Sequence, residues 1–152
     1  MAVERQLALV IPGIPPTGNH YKGYNTHTGR YFVKSEAKRW KAGVAAVIGG
    51  RQVPRGRSGH AVAVRVFLGH KQRLDADNAL KVLLDALGDS GIFAAPGSEV
   101  RSDSSVKHIV IDEFRDRESP RTEIIVWPWE GEPSQADMFV ADEFTERMAT
   151  NG

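Results

Sequence analysis

The sequence contains no cysteine, so a disulfide framework and a thiolate metal site are both excluded. It also contains no apolar run of about 18 residues, which excludes a membrane-spanning helix. Its first residues, MAVERQLALVIPG, lack the basic segment of a signal peptide. No Gly-rich phosphate loop of the P-loop type is present. We therefore expect a cytoplasmic protein that does not contact membranes.

The charge of the chain is distributed unevenly between its two halves. Met1 to Lys81 has 14 Lys and Arg against 4 Asp and Glu, a balance of +10. Val82 to Gly152 has 6 against 15, a balance of −9, and the net charge of +1 conceals both values. A strongly basic half is typical of proteins that bind polyanions such as nucleic acids. The alternative is that these long charged side chains only solvate the surface.

The hydrophobic pattern predicts a small α+β fold. At 152 residues and 41% hydrophobic content, the chain suits one domain with a real core. Alternation predicts strands over 5–13, 60–70, 100–114 and 121–129, and helical spacing predicts helices over 36–48 and from about Asp75. The predicted order is β-α-β-α-β-β, a small mixed sheet covered by two helices. We expect the last two strands to form a hairpin joined by the charged turn RDRESP.

The predicted domain covers residues 1–130, and residues 131–152 form an acidic tail that is either a short helix or disordered. Two segments of the domain combine bases with loop residues. Residues 12–34 are rich in Pro, Gly, Asn and Thr, with a hairpin tip at THTGRYF, and residues 51–59 form a basic, mobile loop. Aromatic and basic residues on a long loop suit nucleic-acid binding, although such a loop can instead pack its own tyrosines. The candidate DNA-binding residues are Lys22, Arg30, Lys34, Lys38, Arg51, Arg55, Arg57, Lys71 and Arg73.

The stretch RLDADNALKVLLDAL, residues 73–87, places two acids at the start of a leucine-rich helix. Asp75 or the next residue should begin this helix, because Asp is a favoured N-cap and acids suit the positive helix end. On a helical wheel the leucines form one buried stripe: Leu80, Leu83, Leu84 and Leu87. The polar side chains form a ridge beside that stripe: Asp77, Lys81 and Asp85.

Two neighbouring carboxylates repel each other unless a divalent cation lies between them. Mg²⁺ and Mn²⁺ take oxygen ligands, and Mg²⁺ is usually held by one or two carboxylates together with water and substrate phosphate. A lysine one turn away can neutralise a phosphate oxygen or hold an attacking water, so the set suits phosphodiester cleavage. The alternative is an ordinary cap followed by an i,i+4 ion pair between Asp77 and Lys81.

The segment LDADNALKVLLDALGDSG resembles the D-x-D-N-x-x-K signature of the RusA family of Holliday-junction resolvases. The upstream GIPPTGNHYKGYNTHTGRYFVKSEAKRW and the later VKHIVIDE also resemble that family, so the likeness extends from about residue 9 to 128. It implies a homodimeric, Mg²⁺-dependent endonuclease, with Mn²⁺ as a substitute, that nicks opposed strands of four-way DNA junctions. It also implies that Asp75 and Asp77 bind the metal and that Lys81 is catalytic.

The sequence departs from the family in the loop after the helix, where a further aspartate is usual. Here the loop reads FAAPGSEV, and Glu99 is the nearest substitute as a catalytic, metal-binding carboxylate, with Asp103 and Asp85 as alternatives. The departure motivates a second hypothesis, a junction-binding protein with weak or lost cleavage. A third, a metal-dependent phosphotransferase acting on nucleotides, is disfavoured by the missing P-loop.

Overall fold

A computed structural model describes residues 5–16, 22–33, 35–95, 98 and 101–132. Six strands and two helices occur in these residues. In chain order they are β1 (Leu7–Pro12), β2 (Lys22–Asn25), β3 (Arg30–Val33), α1 (Ser35–Ile48), β4 (Gly59–Leu68), α2 (Ala76–Ser90), β5 (Val106–Arg115) and β6 (Arg121–Trp129). The predicted α+β class is confirmed, and the predicted hairpin tip within 12–34 is the turn between β2 and β3, which form a separate two-stranded sheet. The predicted tail lies largely outside the described residues.

The main sheet has four strands in the order β1-β6-β4-β5. β5 runs parallel to β4, whereas β6 runs antiparallel to both β4 and β1, so the sheet is mixed as predicted. The connection through α2 is the long crossover that parallel neighbours require.

The prediction that the last two strands form a hairpin is wrong, because β5 and β6 lie on opposite sides of β4. The crossover through α2 places β5 on one side of β4, and β6 pairs on the other side, between β4 and β1. The charged segment 116–120 therefore passes the end of β4, where the backbone N–H of Asp116 donates to Leu68 O at 2.9 Å. A sequence pattern cannot distinguish this route from a tight turn.

Both faces of the main sheet contain buried side chains. On one face the predicted alternation of β1 and β4 packs against α1 and α2, with Leu9, Val64, Val44 and Leu87 in the same core. On the other face Ala61, Ala63, Ile125 and Trp127 form a second, smaller cluster. β4 is therefore buried on both faces, and it provides a fixed support for the loop that follows Leu68.

The predicted leucine stripe of α2 is partly displaced. Leu83 and Leu87 are buried as expected, whereas Leu80 and Leu84 are only partly buried. The smaller Ala79, Val82 and Ala86 complete the buried face. Small residues allow the helix to approach the sheet closely, and the wheel overlooked them because it weighted the leucines alone.

Candidate active site

The acid pair lies where the loop after β4 turns into α2. Asp75 is the N-cap of α2, with extended backbone angles (φ −96°, ψ 99°). Its carboxylate accepts a hydrogen bond from the Asn78 backbone N–H at 3.4 Å and another from the Asn78 side-chain amide at 2.5 Å. These bonds satisfy a free donor of the first helical turn and fix the orientation of the carboxylate. The predicted helix start is confirmed.

The loop before Asp75 is held by hydrogen bonds that the sequence pattern did not indicate. The Gly69 backbone N–H donates to Gln72 Oε1 at 2.6 Å. One guanidinium nitrogen of Arg115, at the end of β5, donates to Gly69 O at 3.1 Å and to Gln72 O at 2.8 Å. Arg115 was absent from the sequence-based set of site residues, since nothing in a charged strand end reveals a partner 43 positions earlier. The loop therefore presents the acid pair from a constrained backbone.

Asp77 and Lys81 face solvent on the first turns of α2. Lys81 Nζ lies 3.7 Å from Asp77 Oδ2, and the side chains are 62% and 83% exposed, respectively. An ion pair this exposed contributes little to stability, at most about 1 kcal/mol. Its exposure instead leaves the carboxylate open to a metal ion and the ammonium open to a phosphate.

The donor set fits a hard divalent cation with an incomplete set of protein ligands. Asp75 has one carboxylate oriented by Asn78, and Asp77 offers a second, exposed carboxylate on the same helix start. Such a pair matches the one or two carboxylates that usually hold Mg²⁺, with water and substrate phosphate as the other ligands. Among the residues that the structure describes, no group of three His, Cys, Asp or Glu side chains is placed to hold a metal ion.

The alternatives for a third carboxylate lie away from the acid pair within one chain. Asp85 is two turns further along α2, with its Oδ2 4.0 Å from Lys41 Nζ. Asp103 contacts Gly88, near the end of α2, where a Cβ added to the glycine would lie 3.0 Å from the Asp103 backbone nitrogen. At 1.5 Å per residue, Gly88 is about 16 Å along the helix from Asp77. Neither residue is close to Asp77.

Glu99 itself lies outside the described residues, but the chain on either side of it is described. Ser98 lines a cavity of about 370 Å³ together with Arg55 and Phe93. On the other side, one guanidinium nitrogen of Arg101 donates to Asp89 O at 3.0 Å, in the last turn of α2. The described residues nearest to Glu99, Ser98 and Arg101, therefore both lie at the C-terminal end of α2, the end opposite to Asp77.

The buried His60 at the start of β4 fastens this far loop to the sheet. Its Nε2 lies 2.8 Å from the Val53 carbonyl, which can only accept, so this nitrogen bears the proton. Its Nδ1 then accepts from the Ser105 hydroxyl at 2.8 Å, and the two residues also share a backbone hydrogen bond of 2.9 Å. Burial lowers the pKa of His60, because the charged imidazolium would lose hydration, and the bond to Val53 opposes this only in part.

The predicted DNA-binding residues fall into separate groups. Arg30, Lys38, Lys71 and Arg73 are exposed, and the last two lie on the loop that leads to Asp75. Arg55 and Arg57 precede β4, about 30 Å of strand away from that loop. Lys34 lies outside the described residues, as does the side chain of Lys22. Lys71 and Arg73 therefore follow β4 in the chain, whereas Arg55 and Arg57 precede it.

Two of the predicted DNA-binding residues have partners within the domain. The Arg51 side chain donates to Ile48 O at 2.8 Å and to Val47 O at 2.7 Å, which satisfies carbonyls at the end of α1. Arg57 pairs with Glu130 at 3.8 Å and Glu132 at 3.7 Å. The 51–59 loop is also tied to neighbouring segments, since Val53 N–H donates to Ile92 O and Ser58 N–H to Trp129 O, both at 2.9 Å. These bonds do not support the prediction of a mobile loop.

Comparison with known proteins identifies one family. The family model Endodeoxyribonuclease RusA matches residues 12–127, a span that includes every strand and helix from β2 to β5 and nearly all of β6. No curated protein matches the chain. Among the residues that the structure describes, none forms a helix with the length and apolar character needed to cross a bilayer. The match covers both the acid pair and Lys81.

Proposed function

The chain belongs to the RusA family of endodeoxyribonucleases, and from that premise we propose that it is a Mg²⁺-dependent enzyme that resolves four-way DNA junctions by paired nicks. The family membership makes it a nuclease of DNA recombination and repair. The observation that supports the finer proposal is the pair of open carboxylates at the start of α2, with Lys81 one turn away. Mn²⁺ is the expected substitute for Mg²⁺.

In this proposal the acid pair binds the metal ion, and the neighbouring cations bind the DNA phosphates. Asp75, oriented by Asn78, and the exposed Asp77 hold the ion. When bound, Mg²⁺ supplies positive charge to a phosphate oxygen and lowers the pKa of a water ligand. Lys81 stabilises negative charge on the phosphate or orients the attacking water, and the exposed Lys71 and Arg73 bind the flanking backbone.

A synthetic four-way junction with labelled arms tests this proposal. Wild type with Mg²⁺ should produce symmetrically placed nicks, and Asp77→Asn should reduce the rate at least about a hundredfold, because it removes a charged metal ligand. The matched control is Asp89→Asn, an exposed acid in the last turn of the same helix. Undiminished nicking by Asp77→Asn, or an equal loss in both variants, would refute the assignment.

We further propose that the protein is a homodimer with a shared metal site. The chain flanking Glu99 is anchored at the far end of α2, so we infer that Glu99 reaches the ion at Asp75 and Asp77 from a second copy of the chain. A two-fold symmetric dimer would present two such sites to the opposed strands of a junction, which has the same symmetry.

Mixed dimers distinguish a shared site from a site within one chain. Asp77→Asn and Glu99→Gln subunits, each inactive alone, should recover one nicking site when combined, because one of the two shared sites then has both wild-type carboxylates. The mixed dimer is isolated by two different affinity tags. If each site were built from a single chain, both sites of the mixed dimer would be defective and no nicking would return.

A second candidate function is junction binding with weak or lost cleavage. It is favoured by the lack of a three-carboxylate group among the described residues. Tight binding of the junction by wild type, with no nicking in either Mg²⁺ or Mn²⁺, would select this function over the enzyme.

A further inference from the structure

A groove lies between the Pro-rich segment after β1 and the first turns of α1. It has a volume of about 340 Å³, and its walls include Ile14, Pro16 and Trp40. A second depression of about 240 Å³ shares Ile14 and Pro16 with it and extends to Arg73, two residues before Asp75. The two depressions also share Glu36, so together they form a trough from Trp40 on α1 to Arg73, on the loop before Asp75.

The walls of the groove suit a flat, partly polar ligand. Trp40 is half-buried, because one side of it packs against the core while the rest lines the groove. Its Nε1 is buried, so the indole contributes apolar ring surface to the groove and no accessible N–H. Glu36 and Arg39 are exposed at the rim, where they provide an acceptor and a donor. An aromatic wall with a few polar groups is the usual construction of a site that stacks a planar ring.

The position of the groove indicates which ligand it binds. Arg73 lines the second depression and lies two residues before Asp75. Under the proposed function, a strand with its phosphate at Asp75 and Asp77 would therefore bring a neighbouring nucleotide to the trough. Bases at the exchange point of a four-way junction lack a continuous stack on one side, so turning one out of the helix costs less than it does in a duplex. The ligand most easily available to the groove is therefore an unstacked base beside the nicked bond.

We propose that the groove binds an unstacked branch-point base on the Trp40 indole, with Glu36 and Arg39 reading its polar edge. Trp40 then contributes to the choice of the nicked position and to the preference for junctions over duplex DNA. This inference rests on the proposed junction-resolving function, and it adds a base-binding site to it.

Trp40→Leu and Gly43→Leu disrupt the groove in different ways, and Trp40→Phe is the control. Trp40→Leu removes the aromatic surface, and Trp40→Phe keeps an aromatic ring. Gly43→Leu fills the space instead, because Gly43 lines the groove and a Cβ added there meets no atom within 4 Å. Gly43 is an interior position of α1, where leucine is the better helix former, so this variant should fold even if Trp40→Leu does not.

The test measures binding of junctions that lack a single base, with Ca²⁺ in place of Mg²⁺. An abasic nucleotide is placed in turn at each position flanking the exchange point, and affinity is measured by fluorescence anisotropy. At one position wild type should lose about fivefold to a hundredfold in affinity, the usual value of one base stacked on an aromatic residue. Trp40→Leu and Gly43→Leu should bind the intact and abasic junctions equally, and Trp40→Phe should keep most of the difference.

The outcomes separate the two proposals. In one outcome, wild type binds junctions and yet loses no more affinity than Gly43→Leu and Trp40→Leu at any abasic position. That result would refute the base-binding groove and leave the proposed nuclease function standing. If wild type binds no junction at all, both are refuted.

Discussion

The two ends of α2 are built for different purposes. At its N-terminal end the acidic side chains are exposed: Asp77 is 83% accessible and its nearest cation, Lys81, is nearly as open. At its C-terminal end Gly88 is buried, Gly91 forms a left-handed C-cap (φ 81°) and the following loop packs against the helix. The open end is suited to bind ions and phosphate, and the packed end is suited to position a loop.

The packed end depends on several close contacts between the helix, the loop and β4. Arg101 donates to Asp89 O, the Ser90 hydroxyl donates to Leu87 O at 2.6 Å, and His60 is bonded to Ser105. At the open end, the bonds hold the loop before Asp75, through Gln72 and Arg115, and the N-cap, through Asn78. The fold therefore fixes the backbone beneath the acids and leaves their carboxylates exposed at the surface.

The largest expected effect is a difference in nicking rate between variants of two lysines. Each lysine lies beside an acid, at opposite ends of α2. Lys81→Met should lower the nicking rate about a hundredfold or more, because under the proposed function it removes the ammonium that stabilises negative charge in the transition state. Lys41→Met, which removes the partner of Asp89 at 3.4 Å, should change the rate by less than about threefold. Single-turnover cleavage of a labelled junction measures both rates, and equal losses would erase the functional difference between the two ends.

A smaller effect is expected on stability from two helical glycines. Gly88→Ala should lower the free energy of unfolding by about 1–3 kcal/mol, because the added Cβ would lie 3.0 Å from the Asp103 backbone nitrogen. At Gly43 an added Cβ meets no atom within 4 Å. Gly43→Ala should therefore raise the free energy of unfolding by about 0.5–1 kcal/mol. Urea unfolding followed by circular dichroism measures the difference. A stabilising Gly88→Ala would show that the far loop is not tightly packed.

Mild acid should lower the stability of the fold. Burial lowers the pKa of both His60 and His108 in the folded state, so below about pH 6.5 the unfolded chain takes up protons more readily. Stability should therefore start to fall as the pH drops below 6.5 and continue to fall until the lower folded-state pKa is passed. Thermal unfolding between pH 7.5 and 5 should show a shallower decline for His60→Gln than for wild type, and a smaller change for the half-buried His108→Gln. An unchanged slope in His60→Gln would contradict this account.

The smallest expected effect compares cations near the two ends of β4. Arg73 is exposed on the loop before Asp75, so Arg73→Gln should weaken junction binding and reduce the salt dependence by about one unit of slope. Arg57 already pairs with Glu130 and Glu132, so Arg57→Gln should leave that slope nearly unchanged. Binding measured over a range of salt concentrations tests both. A larger effect at Arg57 would place the DNA at the packed end.

The sequence was informative where local chemistry determines structure. The N-cap at Asp75, the alternation of β4 and the spacing of Trp40, Val44 and Ile48 on α1 all follow from side-chain preferences within a few residues. The partners of β5 and β6 were not predictable, because strand order depends on contacts between distant segments. For the same reason Arg115, which holds the loop before the acid pair, and the groove at Trp40 emerged only from the folded chain.

The most direct test of the central claim is anomalous diffraction from crystals soaked in Mn²⁺. The account predicts a peak within about 2.6 Å of carboxylate oxygens of both Asp75 and Asp77, and its loss in Asp77→Asn crystals. A peak confined to the packed end of α2, or side chains of Asp75 and Asp77 that take no ion at any concentration tested, would contradict the claim that this helix start is a metal-dependent nuclease centre.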